Sequence, residues 1–246
     1  MTAITAVLCD LDDTLYPQAD WLAGAWTAVA DAAAEHGVPR EPFLAALHEI
    51  AAAGSARGGI IDRALGRVLE LSPDPTLVPK HSLAAVDAAD VPVPELVAVF
   101  QSYRAPHLDL YPGALRALAA LRERVPIAII TDGDPGVQEG KLISLGLLDA
   151  VDEVIISDRF GREFRKPHPE PFRRALAAFG AAPERAVCIG DRPDKDIAGA
   201  TAFGIRAIRV RTGEYADVPD TVEPWFTCST FAEAAQLVLK ALDGEG

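Results

Sequence analysis

The chain has 246 residues, half of them hydrophobic, and 23 Lys and Arg stand against 36 Asp and Glu for a formal net charge of -13. A surface that acidic opposes nucleic acid and anionic membrane as partners, and no apolar stretch approaches the ~20 residues that span a bilayer. The N-terminus lacks a basic region followed by an apolar signal core, so a cytoplasmic protein is expected, and its three cysteines, an odd count without CxxC spacing, read as reduced and mostly buried thiols.

In chain order, the first element is the apolar run Ile4 to Cys9, which ends in the acidic stretch DLDDT at 10–14. Four helix-like segments follow: Trp21 to Glu35, Glu41 to Ala53, Ile60 to Leu71 and Pro94 to Tyr103. Next come a helix over Leu115 to Glu123, a strand over Ile127 to Ile130, a helix over Val137 to Leu145 closed by Gly146, and a strand over Val154 to Ile156. A helix over Pro169 to Phe179, a strand over Ala186 to Ile189, a helix over Asp196 to Phe203 and a strand over Ile205 to Val210 complete the alternation. The last helix starts at Thr230, where TFAE has the form of a capping box.

The strands are short, rich in Val and Ile and apolar on both faces, as in a parallel sheet covered by helices. Strand, helix, strand in repetition predicts an α/β fold with a doubly wound, mostly parallel sheet. Nearly 110 residues separate the first strand from the second, far more than one crossover needs. The stretch 18–106 is therefore expected to be an inserted helical subdomain, leaving 1–17 and 107–246 as the core.

Each strand ends in polar residues: Asp10 after the first, Thr131 after the second, Ser157 and Asp158 with Lys166 shortly beyond after the third, Gly190 and Asp191 after the fourth. In an open parallel sheet these ends share one edge, where such folds bind ligands. Asp10 and Asp12, two apart, share a face if the chain stays extended, so one could attack a substrate while the other hands over a proton. Carboxylates so close raise each other's proton affinity unless a cation compensates, and a hard cation such as Mg2+ suits oxygen ligands. Asp13 reads as a solvated turn or a cap. In GDRPDKD, Asp191 and Asp196 could complete a metal site, with a helix cap the alternative for Asp196. In TDGDP, Thr131 and the N–H groups around Gly133 could cradle an anion, and Pro167 biases Lys166 towards an extended conformation.

In this order the motifs resemble those of the haloacid-dehalogenase-like (HAD) hydrolase superfamily: DLDDT at 10–14, Thr131, Lys166 and GDRPDKD at 190–196. The resemblance covers residues 1–15 and about 110–215, and the helical insert is similar to the family's cap at that point. It implies a Rossmann-like core and a phosphatase in which Asp10 is the nucleophile that forms an aspartyl-phosphate, and Asp12 is general acid, then base. Thr14 would shape the turn. Thr131, Asp132, Gly133 and Lys166 would bind phosphate, and Mg2+ would be held by the Asp10 side chain, the Asp12 backbone carbonyl, Asp191 and Asp196. Two departures stand out: Asp132 where many relatives carry Asn, which changes little if only its backbone touches phosphate but could select against some substrates if its carboxylate lies at the mouth, and an arginine-rich 159–166, in which Arg162 or Arg165 could meet substrate or solvent.

The implied function is hydrolysis of a small organic phosphate monoester, a nucleoside monophosphate or a sugar phosphate. The alternatives are a phosphomutase using the same phosphoenzyme and a non-catalytic binding or regulatory member of the fold. Dehalogenation is disfavoured, because a halide leaves without a proton and that branch generally lacks a carboxylate at the position of Asp12. Specificity is expected in the cap, with Arg57, Arg104 and His107 as candidates, while Trp21 and Trp26 could stack on a base or pack in the helical bundle. The oligomeric state has no signature in the sequence.

Overall fold

A computed structural model describes residues 3–54, 58–70 and 91–244. The five apolar runs form strands β1 (Ala6–Cys9), β2 (Ile127–Thr131), β3 (Glu153–Ile156), β4 (Ala186–Gly190) and β5 (Arg206–Val210). Every residue of β1, β2 and β4 is buried, because helices cover both faces and no polar face is needed. Beyond them lies β6 (Phe226–Cys228), whose first two residues are exposed. Three residues at a solvent edge carry too little apolar pattern to be found in the sequence. The sheet has the order β3-β2-β1-β4-β5-β6 with every ladder parallel. Its α/β doubly wound architecture is the one the strand and helix alternation predicts.

The chain divides into two compact units, Met1–Ala19 with Pro106–Gly246, and Asp20–Ala105. The second contains most of α1 (Gln18–Glu35), with α2 (Arg40–Ala52), α3 (Ile60–Glu70) and α4 (Val93–Ser102). Its own core gathers Trp26, Val29, Phe43, Leu47, Leu65 and Leu96. Trp26 stacks on Phe100 with ring centroids 4.6 Å apart, and Trp21 meets the same ring edge-on at 5.1 Å. Both indoles are buried packing residues, each worth a few kcal/mol of apolar burial rather than a stacking platform.

In the first unit, α5 (Ala114–Arg122), α6 (Pro135–Ser144), α7 (Pro169–Phe179), α8 (Ala198–Ala202) and α9 (Phe231–Leu242) connect or flank the strands. Asp134 caps α6 by accepting from the Val137 N–H at 3.1 Å, and Thr230 caps α9 through the Glu233 N–H at 3.1 Å. The return bond of that box goes one residue early, from the Ser229 N–H to Glu233 at 2.8 Å. The helix expected over Asp196 to Phe203 differs in its first turn, which is a π-type turn over Pro193–Ile197 before α8. Among the described residues no helix is long and apolar enough to cross a membrane.

Candidate active site

β1 lies between β2 and β4, with Cys9 level with Ile129 on one side and Ile189 on the other. The register puts Asp10, Thr131 and Asp191 at neighbouring strand ends, on the edge where the sheet order reverses and such folds bind ligands. The Asp10 N–H donates to the Ile189 carbonyl at 3.0 Å, which extends the pairing as far as the first carboxylate. Thr14 then joins the first loop to the fourth strand: its hydroxyl donates to Asp191 Oδ1 at 3.1 Å and accepts from the Asp191 N–H at 3.1 Å. Asp196 reaches the same place because the π-type turn carries it under β4. Its Oδ2 accepts from the Arg192 N–H at 3.0 Å, and any Cβ at position 190 would collide with its carboxylate, so Gly190 is required by that approach.

Asp10, Asp191 and Asp196 each offer one carboxylate oxygen within 4.8 Å of the others, and all three are buried. Lys166 Nζ enters this group, donating to Asp10 Oδ1 and to the Ile130 carbonyl at 3.0 Å, with Asp196 Oδ1 at 2.7 Å. The approach to Asp196 Oδ1 is an ion pair without hydrogen-bond alignment, so that buried oxygen has no hydrogen-bond donor. Burial works to lower the proton affinity of this lysine, but Asp10, Asp196 and Asp132 outweigh it and hold Lys166 well above the ordinary lysine range.

One ammonium against three carboxylates leaves two negative charges in a buried space. Burial first, then the charges of Asp196 and Asp12, push the Asp10 carboxyl up to about 7 despite Lys166. Burial and the charges of Asp10, Asp196 and Asp13 carry Asp191 well above the carboxylate range. Buried charges are tolerated when paired or bound to metal. The oxygen donor set, an Asp196 oxygen that accepts no hydrogen bond and a deficit of two positive charges fit a hard divalent cation.

Asp12 is in a different electrostatic setting, and its carboxylate lies outside that acidic group. Oδ1 accepts from Lys141 Nζ and from the Tyr16 hydroxyl, both at 2.6 Å, and Oδ2 from Gln138 Nε2 at 2.9 Å. Burial works to raise this carboxyl, but the charge of Lys141 and the bonds from Lys141, Tyr16 and Gln138 prevail and hold it below the ordinary range. Two carboxylates from one five-residue stretch thus sit in opposite electrostatic settings, Asp10 among other carboxylates and Asp12 among donors. Lys141, Gln138 and Tyr16 escape a motif reading. The only signal is a lysine and a glutamine on the buried face of α6 beside Val137 and Leu142, where residues that carry hydrogen-bonding groups rarely go unpaired.

Around the second strand, Thr131 Oγ1 accepts from Gln138 Nε2, which leaves its own O–H to donate. The N–H of Gly133, a residue at φ +135, makes a long 3.4 Å bond to Asp158 Oδ1. The carboxylate of Asp132 is turned to the protein: it accepts from the Ser157 hydroxyl at 2.8 Å and the Lys166 N–H at 3.1 Å and pairs with Lys195 Nζ at 2.8 Å. Lys166, Lys195 and Ser157 hold its carboxyl low against the cost of burial. Of the two alternatives for Asp132, these bonds fit the one in which the carboxylate does not meet substrate, and they make it an anchor for the loop that delivers Lys166.

A family model for haloacid dehalogenase-like hydrolases matches residues 4–204. The chain belongs to that family. It is 35% identical over 221 residues to a glyceraldehyde 3-phosphate phosphatase of Methanopyrus kandleri, covering 87% of each chain. It is 32% identical over 231 residues to a ribulose-1,5-bisphosphate 5-phosphatase of Halopiger xanaduensis, covering 89% of this chain and 90% of the other. Among solved structures it is similar to a 2-haloacid dehalogenase from Pseudomonas syringae pv. Tomato DC3000, with a TM-score of 0.63 and 25% identity over 97% of this chain and 99% of that one.

In this hydrolase Asp13 is a buried cap and not a solvated turn. At φ +56 its carboxylate accepts from the Gln18 N–H at 2.9 Å and the Glu214 N–H at 3.1 Å, tying the first loop to the segment after β5. Arg165 makes a two-pronged pair with Asp158 at 2.6 and 2.5 Å, while the largely exposed Arg162 reaches the same carboxylate only at 3.8 Å. Of the specificity candidates, Arg57 lies outside the described residues. Arg104 is spent on the backbone carbonyls of Gln101 and Tyr103, both at 2.9 Å, and His107 contacts Asp109 at 3.0 Å in an exposed position. All three cysteines are free and buried.

Proposed function

We propose that this hydrolase is a Mg2+-dependent phosphatase that cleaves a small organic phosphate monoester through an aspartyl-phosphate on Asp10. The observation that carries the reading is the pairing, in one loop, of an Asp10 set in a cation-deficient buried acidic group with an Asp12 held apart by its own donors. The relatives named for glyceraldehyde 3-phosphate and ribulose 1,5-bisphosphate support a small sugar phosphate over a nucleotide. The unit Asp20–Ala105 is read as the cap that carries substrate choice, with Arg57 among its candidates.

Asp10 attacks phosphorus as the carboxylate, and the ester oxygen leaves with a proton that Asp12 has first taken from the monoanionic phosphate group of the substrate. Asp12, now a carboxylate, takes a proton from water; the water oxygen attacks the aspartyl-phosphate, phosphate departs and Asp10 is restored. Thr131 and Lys166 hold the phosphoryl oxygens, with Lys166 offsetting charge on Asp10. Mg2+, held by the Asp10, Asp191 and Asp196 carboxylates with the Asp12 carbonyl, would supply charge neutralisation for the transferring group. A halide leaves without a proton, so dehalogenation has no use for a buried carboxylate held by three donors.

Phosphate release from a panel of phosphorylated sugars, trioses and nucleotides with and without Mg2+ tests the reading. The expected result is metal-dependent release that Asp10→Asn abolishes while its circular dichroism spectrum is unchanged. Full activity in Asp10→Asn overturns both phosphoenzyme readings, an isomerised product that keeps its phosphate selects the mutase, and no release from any substrate selects a non-catalytic protein.

A further inference from the structure

α6 buries a lysine on its apolar face. Such a residue is kept in a protein interior only when paired, and a buried ion pair is no better for stability than well-packed apolar side chains of the same volume. Stability therefore does not account for Lys141. Its position does, since Lys141 Nζ sits 2.6 Å from the carboxylate of Asp12, two residues beyond Asp10.

We propose that Lys141, acting with Gln138 and Tyr16, is a positioning residue that fixes the Asp12 carboxylate for proton transfer and keeps it out of the acidic group at Asp10. The proposal rests on the phosphatase reading above and adds residues that no motif supplies.

Three donors from two parts of the chain occupy both Asp12 oxygens, so the side chain has no rotation left that keeps all three bonds. The Gln138 amide also donates to Thr131 Oγ1. One Nε2, with its two hydrogens, thereby sets the spacing between the proton-transfer group and the hydroxyl expected to hold phosphate. Without the Lys141 charge, the Asp12 carboxylate would add an unbalanced negative charge beside three carboxylates that already exceed their single lysine. Three donors also describe the ionised form of Asp12, the form that takes a proton from water in the second half of the reaction.

The test is a double-mutant cycle on the full-length protein with Mg2+ present, with single-turnover rates for p-nitrophenyl phosphate and for glycerol phosphate. Lys141→Met is expected to lower kcat for glycerol phosphate by about 10- to 100-fold, the range for removing a partner that orients a catalytic ligand, with KM changed by less than about twofold. In an Asp12→Asn background the same substitution should cost less than about twofold, because the group it positions is already gone. The phosphorylation step with p-nitrophenyl phosphate, whose leaving group needs little protonation, should lose less than that with glycerol phosphate. Equal losses in both backgrounds, or an unchanged kcat, overturn the proposal. If Lys141→Met does not fold, Gln138→Leu, which removes one donor and leaves the ion pair, decides by the same comparison. An Asp10→Asn variant that stays active overturns the phosphatase reading itself; an inactive one beside a normal Lys141→Met overturns only the role of Lys141.

Discussion

Replacing Asp191 by Asn should stabilise the protein when no metal is present and, if the proposed Mg2+ site is right, remove the stabilisation expected from Mg2+. The reason is the unbalanced charge of Asp10, Asp191 and Asp196 against Lys166. Asp10 has its carboxyl raised from 3.8 to about 7. The sign follows from linkage: a carboxyl with a raised folded value favours folding when protonated, so its contribution is complete below pH 3.8 and is lost as pH rises to about 7. At about 1.4 kcal/mol per pH unit the loss is at most about 4 kcal/mol. Asp191 shifts in the same direction. Asp12, Asp132 and Asp158 are held below the ordinary range and act oppositely, but only as pH falls below about 4, outside this window. Asn at 191 removes one charge, and its side-chain oxygen can still accept from Thr14. About 2 kcal/mol recovered at pH 8 corresponds to a rise of about 4 to 8 °C in Tm for a chain of this size. Wild type should gain about 2.7 kcal/mol from Mg2+ at 100 times its Kd, and the variant close to nothing. Thermal melts at pH 5 and 8, in EDTA and in Mg2+, measure all four states. A variant less stable than wild type in EDTA at pH 8, or one with the full Mg2+ increment, refutes the charge argument.

Thr14→Val keeps the shape of a fully buried side chain but strands the Asp191 N–H and removes the hydroxyl from Asp191 Oδ1; a loss of about 1 to 3 kcal/mol in urea melts is expected, with weaker Mg2+ activation. Gly213→Ala puts a Cβ into the Asp13 carboxylate at a residue with φ +63, so it should cost at least about 2 kcal/mol and lower kcat, because Asp13 holds the loop that carries Asp10 and Asp12. In an Asp13→Ala background, which clears the space, the same change should cost only the left-handed backbone penalty of about 1 kcal/mol, and an equal cost in both backgrounds would show that the collision is not the cause.

The parts legible in the sequence are those in which one local rule decides the structure. A strand buried on both faces must be apolar throughout, so β1, β2 and β4 declare themselves, and the polar residue that ends each run falls on the ligand-binding edge whatever the rest of the chain does. The parts that stayed hidden depend on a partner far along the chain. Asp132 looks like an acidic group free to meet substrate until Ser157, Lys195 and the Lys166 N–H are placed around it. Asp13 looks solvated until the segment at Glu214 returns to it. β6 has two exposed residues out of three and takes its identity from β5 alone.

Lys141 is the most informative of these hidden parts, because it changes what the acidic stretch DLDDT means. Read alone, the stretch asks for one cation to quiet several like charges. The fold divides the charges between two lysines that arrive from different helices and loops. Lys141 balances Asp12 one to one, so that set asks for nothing more. Lys166 is shared by Asp10 and Asp196 with Asp191 close by, so that set remains two charges short. The difference in balance places Asp10 and Asp12 in separate electrostatic settings, which is what the proposed division into nucleophile and proton-transfer group requires. A variant that moved the second lysine to the other set would be expected to lose both functions together.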